Sequence, residues 1–519
     1  MSAAGTDIHS SNSESETAVP HRWAITVAVM TAIVMNVLDI TIVNVALPHM
    51  EGSLRANSNQ ITWALTTYML AMVIVTPLTG LLVEHFGQRR LILASVAGFL
   101  LCSALSGQSH SLPEIVLWRF FQGVFGASLV PVGQAILVES YPRSQRGIAM
   151  ATLGMGTMLG PILGPVLGGY LTEDLSWRWC FYVNLPIGVI ALILLFFYAP
   201  DFGRSEHPRP LDWQGLLWMT LGLGGLQLIL SLGDQDDWFS SRFIVATTVV
   251  AALASLLFVV HSLSVRSPVV NLRLLADRSL TLGSIGIGLF GLALYGTMVV
   301  LPIYLQNYMG YEPQTAGLVM APQGIGSWIS MWAAGRLLNR GASPRLMIIA
   351  GVFLGSLGTW LSLSYDLDIS PAWIIWPGVI RGLGLGLISI PLFTLAFTTL
   401  SKADTPAGSG IFNLMRNLGG SVGIAIVSTI LTEQAQVAWN QMGGHISLFA
   451  PAVHHYLHAV GLAQGPLAWQ VLGMELERHA AMRGILDAFG FLLASFLVVL
   501  VIVLFMPGKE PNPEKGRLS

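Results

Sequence analysis

Charged side chains are scarce in this sequence. Asp, Glu, Lys and Arg make up 10% of its 519 residues, whereas a soluble globular chain carries roughly a quarter. With so few charges a soluble fold of this size could not cover its surface. The net charge of -2 argues against the basic face that nucleic-acid binding requires, so no nucleic-acid partner is expected. Cysteine is nearly absent. Cys102 and Cys180 fall in or beside apolar runs without metal-ligand spacing, so they read as core residues. Neither a disulfide framework, a metal site nor a cofactor is implied. The start of the chain also lacks the basic segment and short apolar core of a secretory signal, and residues 1–22 are expected to form a polar, disordered cytoplasmic tail.

What is abundant is apolar sequence, at 53% of the chain, distributed in runs of the roughly 20 residues needed to cross a bilayer. Cutting at polar punctuation predicts fourteen spans: about 24–48, 60–83, 90–108, 112–138, 148–171, 180–199, 212–232, 243–262, 280–307, 314–337, 344–363, 372–399, 406–431 and 485–506. The expected fold is all-α and membrane-integral. A six-helix half (23–200), two additional central helices (201–265) and a second six-helix half (266–506) precede a cytoplasmic tail (507–519). Of the 25 Lys and Arg residues, only Arg55, Arg178, Arg242, Arg478 and Arg483 fall outside if both termini are cytoplasmic. Nearly all the others lie on the inner side, as positive-inside loops require. The one long outer loop, 432–484, contains His445, His454, His455, His458 and His479. Their irregular spacing without cysteine favours a solvated segment over a metal site, and the loop's length suggests docking to a partner outside the membrane.

Four charges remain in the membrane core: Asp39, Arg119, Arg381 and Arg416. Each is costly in hydrocarbon and should face the bundle interior. At helical rise Asp39 lies roughly 14 Å, and Arg119 about 10 Å, below the outer ends of their spans. At similar depth a carboxylate and an arginine can pair, and a carboxylate that loses its partner in low dielectric binds a proton. The pair is therefore a candidate for proton coupling. A static buried ion pair is the alternative. Arg119, Gln122, Gly123 and Gly126 share one helical face. Asn36, Asn44, Gln122, Arg381, Asn413 and Arg416 are the candidate polar groups of a substrate cavity or of the membrane core. Three arginines against one aspartate tilt the expected substrates towards neutral or weakly acidic amphiphiles. Trp63, Trp218, Trp328, Trp332 and the many Met and Phe residues are candidate cavity linings, although lipid contact is their commoner use.

The fifth span carries Gly156, Gly160, Gly164 and Gly168 at intervals of four, with Pro161 and Pro165 beside them. This is a stripe for close helix approach with prolines that permit bending. Between spans two and three, Gly80, Glu84, Gly87, Arg89 and Arg90 form a short cytoplasmic turn, either a topology signal alone or an ion-pair latch. Gly335–Gly341 echoes that turn, and Arg381–Gly386 echoes Arg119–Gly126. Corresponding positions in two six-span halves indicate an internal repeat, which in transporters puts the substrate site at the midplane between the halves.

These motifs bring a resemblance into view. Leu38–Pro48 resembles the first-span signature of the fourteen-helix drug:proton antiporters of the major facilitator superfamily. Gly80–Arg90 is similar to the superfamily's loop motif, with Glu84 where Asp is usual. Arg119–Gly126 looks like its fourth-span proton-transfer motif, and Gly156–Gly169 like its antiporter motif. Trp177–Gly188, Asp237–Phe239 and Gly408–Gly420 are similar to the EmrB branch. The resemblance implies proton-driven export of hydrophobic or amphipathic compounds from a bacterial inner membrane, with Asp39 and Arg119 as coupling residues. It also implies a periplasmic EmrA-like adaptor and an outer-membrane channel as partners. An importer or uniporter of the same fold is the nearest rival. A membrane enzyme would need clustered His, Asp or Ser at a membrane face, and a scaffold would have no use for buried arginines in both halves.

Overall fold

The computed structural model describes residues 21–142, 145–201, 210–401, 404–444 and 466–506, together with positions 453, 455, 457 and 458. No strand occurs among them. The spans, numbered in chain order, are 1 (Arg22–Leu54), 2 (Trp63–Phe86), 3 (Gln88–Gln108), 4 (Leu112–Ser140), 5 (Arg146–Asp174), 6 (Trp179–Tyr198), 7 (Trp213–Leu232), 8 (Arg242–Ser264), 9 (Arg278–Tyr308), 10 (Pro313–Asn339), 11 (Pro344–Ser364), 12 (Pro371–Ala396), 13 (Thr405–Gly443) and 14 (Pro466–Phe505). Thirteen of them are long and apolar enough to cross a membrane on their own composition. Span 10, at 27 residues, is long enough but carries Gln314, Gln323, Ser327 and Ser330. One side of it packs against spans 5 and 12, where Gln323 finds a partner in Arg381, while Leu318, Trp328 and Trp332 on its other side are exposed.

Local chemistry fixes where the helices start and bend. The Asp212 carboxylate accepts from the Gly215 amide at 2.9 Å and the Asp277 carboxylate from the Leu280 amide at 2.9 Å, capping spans 7 and 9. Span 2 tightens into a 3-10 turn over Thr76–Leu78, where Pro77 supplies no amide donor. Span 4 breaks after Gly126 and resumes at Leu129, ahead of Pro131. Spans 2 and 3 are joined through Gly87 at φ 79, and span 10 leads to span 11 through Gly341 at φ 84. The two halves thus turn on a left-handed glycine at the same place in their repeats.

Spans 13 and 14 depart from expectation. They contain 39 and 40 residues, roughly 60 Å of helix against about 30 Å of hydrocarbon. The segment read as a loop over 432–484 is helical through Gly443 and again from Pro466. Apolarity ends near residue 431 but helical propensity does not, so a hydropathy boundary marks the membrane surface and not the helix end. Arg478 of the projecting part of span 14 donates to the Tyr308 carbonyl at 3.1 Å and pairs with Glu475 at 3.4 Å. His445 and His454 lie outside the described residues.

The inserted helices 7 and 8 pack on each other, and span 7 also lies against spans 2 and 13, one from each half. Span 8 faces outward, with Val249, Leu253, Leu256 and Val260 exposed, as a lipid-facing helix should be.

Candidate functional site

Span 1 presents two faces of different chemistry. One carries Asn36 and Asp39, both buried, towards spans 2, 4 and 6. The other carries Val37, Ile40 and Thr41 into a cavity between the halves.

Asp39 and Arg119 are joined at 2.6 Å between Oδ2 and Nη1, and neither side chain is exposed at all. The shell around them is nearly complete. Gln122 donates to Asp39 Oδ1 at 2.9 Å, and Asn184 donates to the same oxygen at 2.8 Å. Asn184 also reaches Ser103 Oγ at 3.1 Å. Arg119 donates from Nε to the Ala64 carbonyl at 3.1 Å and from Nη1 to Gln122 Oε1 at 3.0 Å. Its Nη2 has no hydrogen-bond partner, but the guanidinium lies 4.2 Å from the Tyr68 ring centroid, a cation–π contact. Asn36 donates to the Tyr68 hydroxyl at 2.9 Å, tying it to the same cluster. Gly123 and Gly126 make room: a Cβ on Gly123 would sit 2.4 Å from the Tyr68 carbonyl oxygen, and one on Gly126 2.7 Å from Asn36 Nδ2. Asp39, Arg119, Gln122 and Asn36 are therefore brought together. Asn44 is exposed and stands apart from them. Asn184, Ser103 and Tyr68 escaped the sequence reading, since each is an ordinary polar residue in an apolar span. The only signal for Asn184 was its place in the Trp177–Gly188 run.

The central cavity leaves about 80 Å³ for the centres of water-sized molecules, room for several waters. Its wall is apolar and pliable, with Phe290, Phe393, Phe412, Met150, Met298 and Met331. Gln134 and Asn413 form its floor on the cytoplasmic side, where Asn413 Nδ2 and Ser409 Oγ both donate to Gln134 Oε1, at 2.8 and 2.7 Å. This tie joins the two halves. Arg416 is the sole charged residue of the wall. None of the four tryptophans suggested by the sequence lines the cavity: Trp328 and Trp332 are exposed, Trp63 packs against the inserted helices, and Trp218 belongs to one of them, span 7.

Arg381 is separate. Fully buried within the second half, it donates to Ser362 Oγ at 3.1 Å and to Gln323 Oε1 at 2.8 Å, and lies 5.7 Å from the Phe489 ring centroid. Among the described residues no carboxylate pairs with it.

The glycine stripe of span 5 faces span 1. A Cβ on Gly160 would meet the Val37 carbonyl carbon at 2.7 Å, and one on Gly164 would meet Thr41 Oγ1 at 2.1 Å; Thr41 donates to the Gly160 carbonyl at 2.9 Å. Gly156 lies against Met30 and Gly168 against Ile42. Pro165 approaches Gly317 of span 10, while the Pro161 side chain lies outside the described atoms. In the cytoplasmic turn, Gly80 abuts Ala407 of span 13, with a Cβ there 3.0 Å from the Ala407 Cα. Glu84 is half-buried, and Arg90 is exposed. Arg89 donates to the Phe196 carbonyl at 2.5 Å and sits over its ring, which anchors the turn to span 6.

Comparison with known proteins now decides the family. Residues 29–424 match the sequence profile of the Major Facilitator Superfamily. The chain belongs to that superfamily. Within it the relatives are EmrB-like. The chain is 31% identical over 497 residues to the fatty acid resistance protein FarB of Neisseria gonorrhoeae, covering 95% of this chain and 97% of that one. It is 32% identical over 487 residues to the multidrug export protein EmrB of Escherichia coli strain K12, covering 92% and 94%. The crystal structure of the human organic anion transporter MFSD10 (TETRAN) aligns with a TM-score of 0.62 over 93% of this chain and all of that one. At 14% identity this is a likeness of fold. As a member of this superfamily the chain is a membrane transporter and not an enzyme.

Proposed function

We propose that the protein is a proton-coupled exporter of hydrophobic and amphipathic compounds, working by alternating access of the central cavity. The observation that carries this reading is the Asp39–Arg119 pair, unexposed and 2.6 Å apart, on the helix whose opposite face lines the cavity. Any shift of span 1 that reshapes the cavity also strains the pair. A carboxylate separated from its arginine in low dielectric binds a proton, and a proton lost restores the pair. Thr41, which lines the cavity and bonds to Gly160 of span 5, carries the same coupling into the glycine seam. The names of the relatives, multidrug export and fatty acid resistance, support export of apolar compounds, and the pliable wall of Met and Phe suits varied substrates.

The experiment is transport of a fluorescent amphiphile by proteoliposomes under an imposed pH gradient. Asp39→Asn should abolish gradient-driven movement while the purified protein keeps its elution profile; movement at the wild-type rate would overturn the coupling role.

The bacterial relatives support a setting for this export. We place the protein in a bacterial inner membrane, with its projecting helical ends of spans 13 and 14 docking a periplasmic adaptor that leads to an outer-membrane channel. Val437, Trp439, Leu467 and Trp469 are exposed there, beyond the length that the bilayer can cover. Photocrosslinking from position 439 should capture the adaptor, and adaptor binding that survives removal of 436–480 would refute docking at this surface.

A further inference from the structure

Among the described residues the central cavity has one charged side chain in its wall, Arg416. Among the described residues Arg416 makes no hydrogen bond or ion pair, and its Nε is buried without a partner. Ser389 Oγ, also on the wall, is buried and unpartnered too. Of the other polar groups of the cavity, the Tyr295 hydroxyl makes no hydrogen bond among the described residues, and three are occupied within the protein. Thr41 donates to the Gly160 carbonyl, Thr157 to the Gly154 carbonyl, and Asn413 to Gln134. Asp39, the carboxylate on the cavity-lining helix, is enclosed with Arg119, Gln122 and Asn184 and does not reach the cavity.

A cavity of this kind presents free donors and a fixed positive charge, with no carboxylate among its described lining residues to offset it. A guanidinium in an apolar wall is satisfied by a planar anion that offers two oxygens to its fork. We infer that Arg416 is the specificity-determining residue of the transport cavity, receiving the carboxylate of an amphipathic organic acid while Phe and Met side chains take its apolar body. This rests on the export reading above and names the substrate class for it. The same geometry works against cations: a quaternary ammonium in the cavity would face Arg416 with no acid to offset it.

The test uses full-length protein and three probes that share one apolar body, 1-pyrenebutyrate, 1-pyrenebutanol and 1-pyrenebutyltrimethylammonium. Binding is read by fluorescence and gradient-driven flux in proteoliposomes. Wild-type protein should bind the carboxylate about tenfold or more tightly than the alcohol, the range of a charge-assisted hydrogen bond in a dry site, and the cation most weakly. Arg416→Gln should bring the carboxylate to within about threefold of the alcohol, and Arg416→Lys, which keeps the charge but not the fork, should keep only part of the preference. Equal binding of the three probes by wild-type protein, or tightest binding of the cation, overturns the inference without needing any variant to fold. So does an Arg416→Gln protein that holds the carboxylate as tightly as wild type. If none of the three probes moves under a pH gradient, it is the export reading that falls, and the order of binding still decides the role of Arg416.

Discussion

Asp39 and Arg119 illustrate how much a single residue discloses through its type and its depth in a span. Their rarity in apolar sequence and their similar depth were legible, because burying a charge is costly and demands a partner. The side chains that complete the shell were not legible, since Asn184 and Ser103 matter only through the packing that brings span 6 to span 1 and span 3 to span 6. Replacing Arg119 with leucine leaves the Asp39 carboxylate buried with amides alone, and should cost about 3–5 kcal/mol of stability. Thermal unfolding in detergent measures this, and Asp39→Asn in the same chain should recover part of the loss; an additive double variant would mean that the pair is not coupled. Arg381 makes the opposite case. Sequence repetition matched it to Arg119, but its surroundings are Ser362, Gln323 and Phe489, with an orphaned Nε and no acid. A buried charge without a counter-ion is a burden on stability. Arg381→Met should therefore leave the melting temperature unchanged or raise it, and a fall of several degrees would show that the polar contacts outweigh the buried charge.

At the scale of helices, the glycine stripe of span 5 was evident from its spacing, but the partner it packs against was not. A four-residue repeat says that something comes close and not which helix does. The structure identifies span 1, the helix that carries Asp39. Gly164→Val would drive a branched side chain into Thr41 and the backbone of span 1, at a cost of about 1–3 kcal/mol from overpacking. Its effect on transport should exceed its effect on stability, because Thr41 lines the cavity; parallel flux and melting curves distinguish the two. The inserted helices have a similar story. Their number was readable, whereas their bridging position was not. At the outer end Trp238 donates to Thr429 of span 13 at 3.0 Å, and Gln235 meets Thr62 at the start of span 2. At the inner end Asp212 caps span 7 and meets His261 of span 8 at 2.8 Å. Burial alone would raise the Asp212 carboxyl, but the Gly215 amide and His261 outweigh it and hold the group below its ordinary value. A carboxyl lowered in the folded state contributes stability at neutral pH that is lost as pH falls through its folded value. Asp212→Ala should therefore destabilise the protein at pH 7, by about 1 kcal/mol from the cap, and the difference from wild type should shrink in acid.

For the whole molecule, fourteen spans in two related halves were legible because hydropathy and loop charge report the environment of each segment independently. How the halves meet could not be read this way, since contacts between them depend on packing that hydropathy and loop charge do not report; under the proposed alternating access they would belong to one conformation of several. In this conformation the cytoplasmic side is closed by Gly80 against Ala407 and by the tie from Ser409 and Asn413 to Gln134. Two hydrogen bonds at about 0.5–1.5 kcal/mol each are enough to shift a two-state balance about tenfold. Gln134→Ala should release them and populate the shape open to the cytoplasm. A cysteine at Phe412, on the cavity wall, reports this when labelled with a membrane-impermeant maleimide. Cys102 and Cys180 are both buried and contribute little background. In inside-out vesicles the labelling rate at position 412 should rise several-fold in the Gln134→Ala background and fall in right-side-out vesicles. Equal rates in both backgrounds would mean that the packing of span 5 on span 10, and not the polar tie, holds the inner side closed.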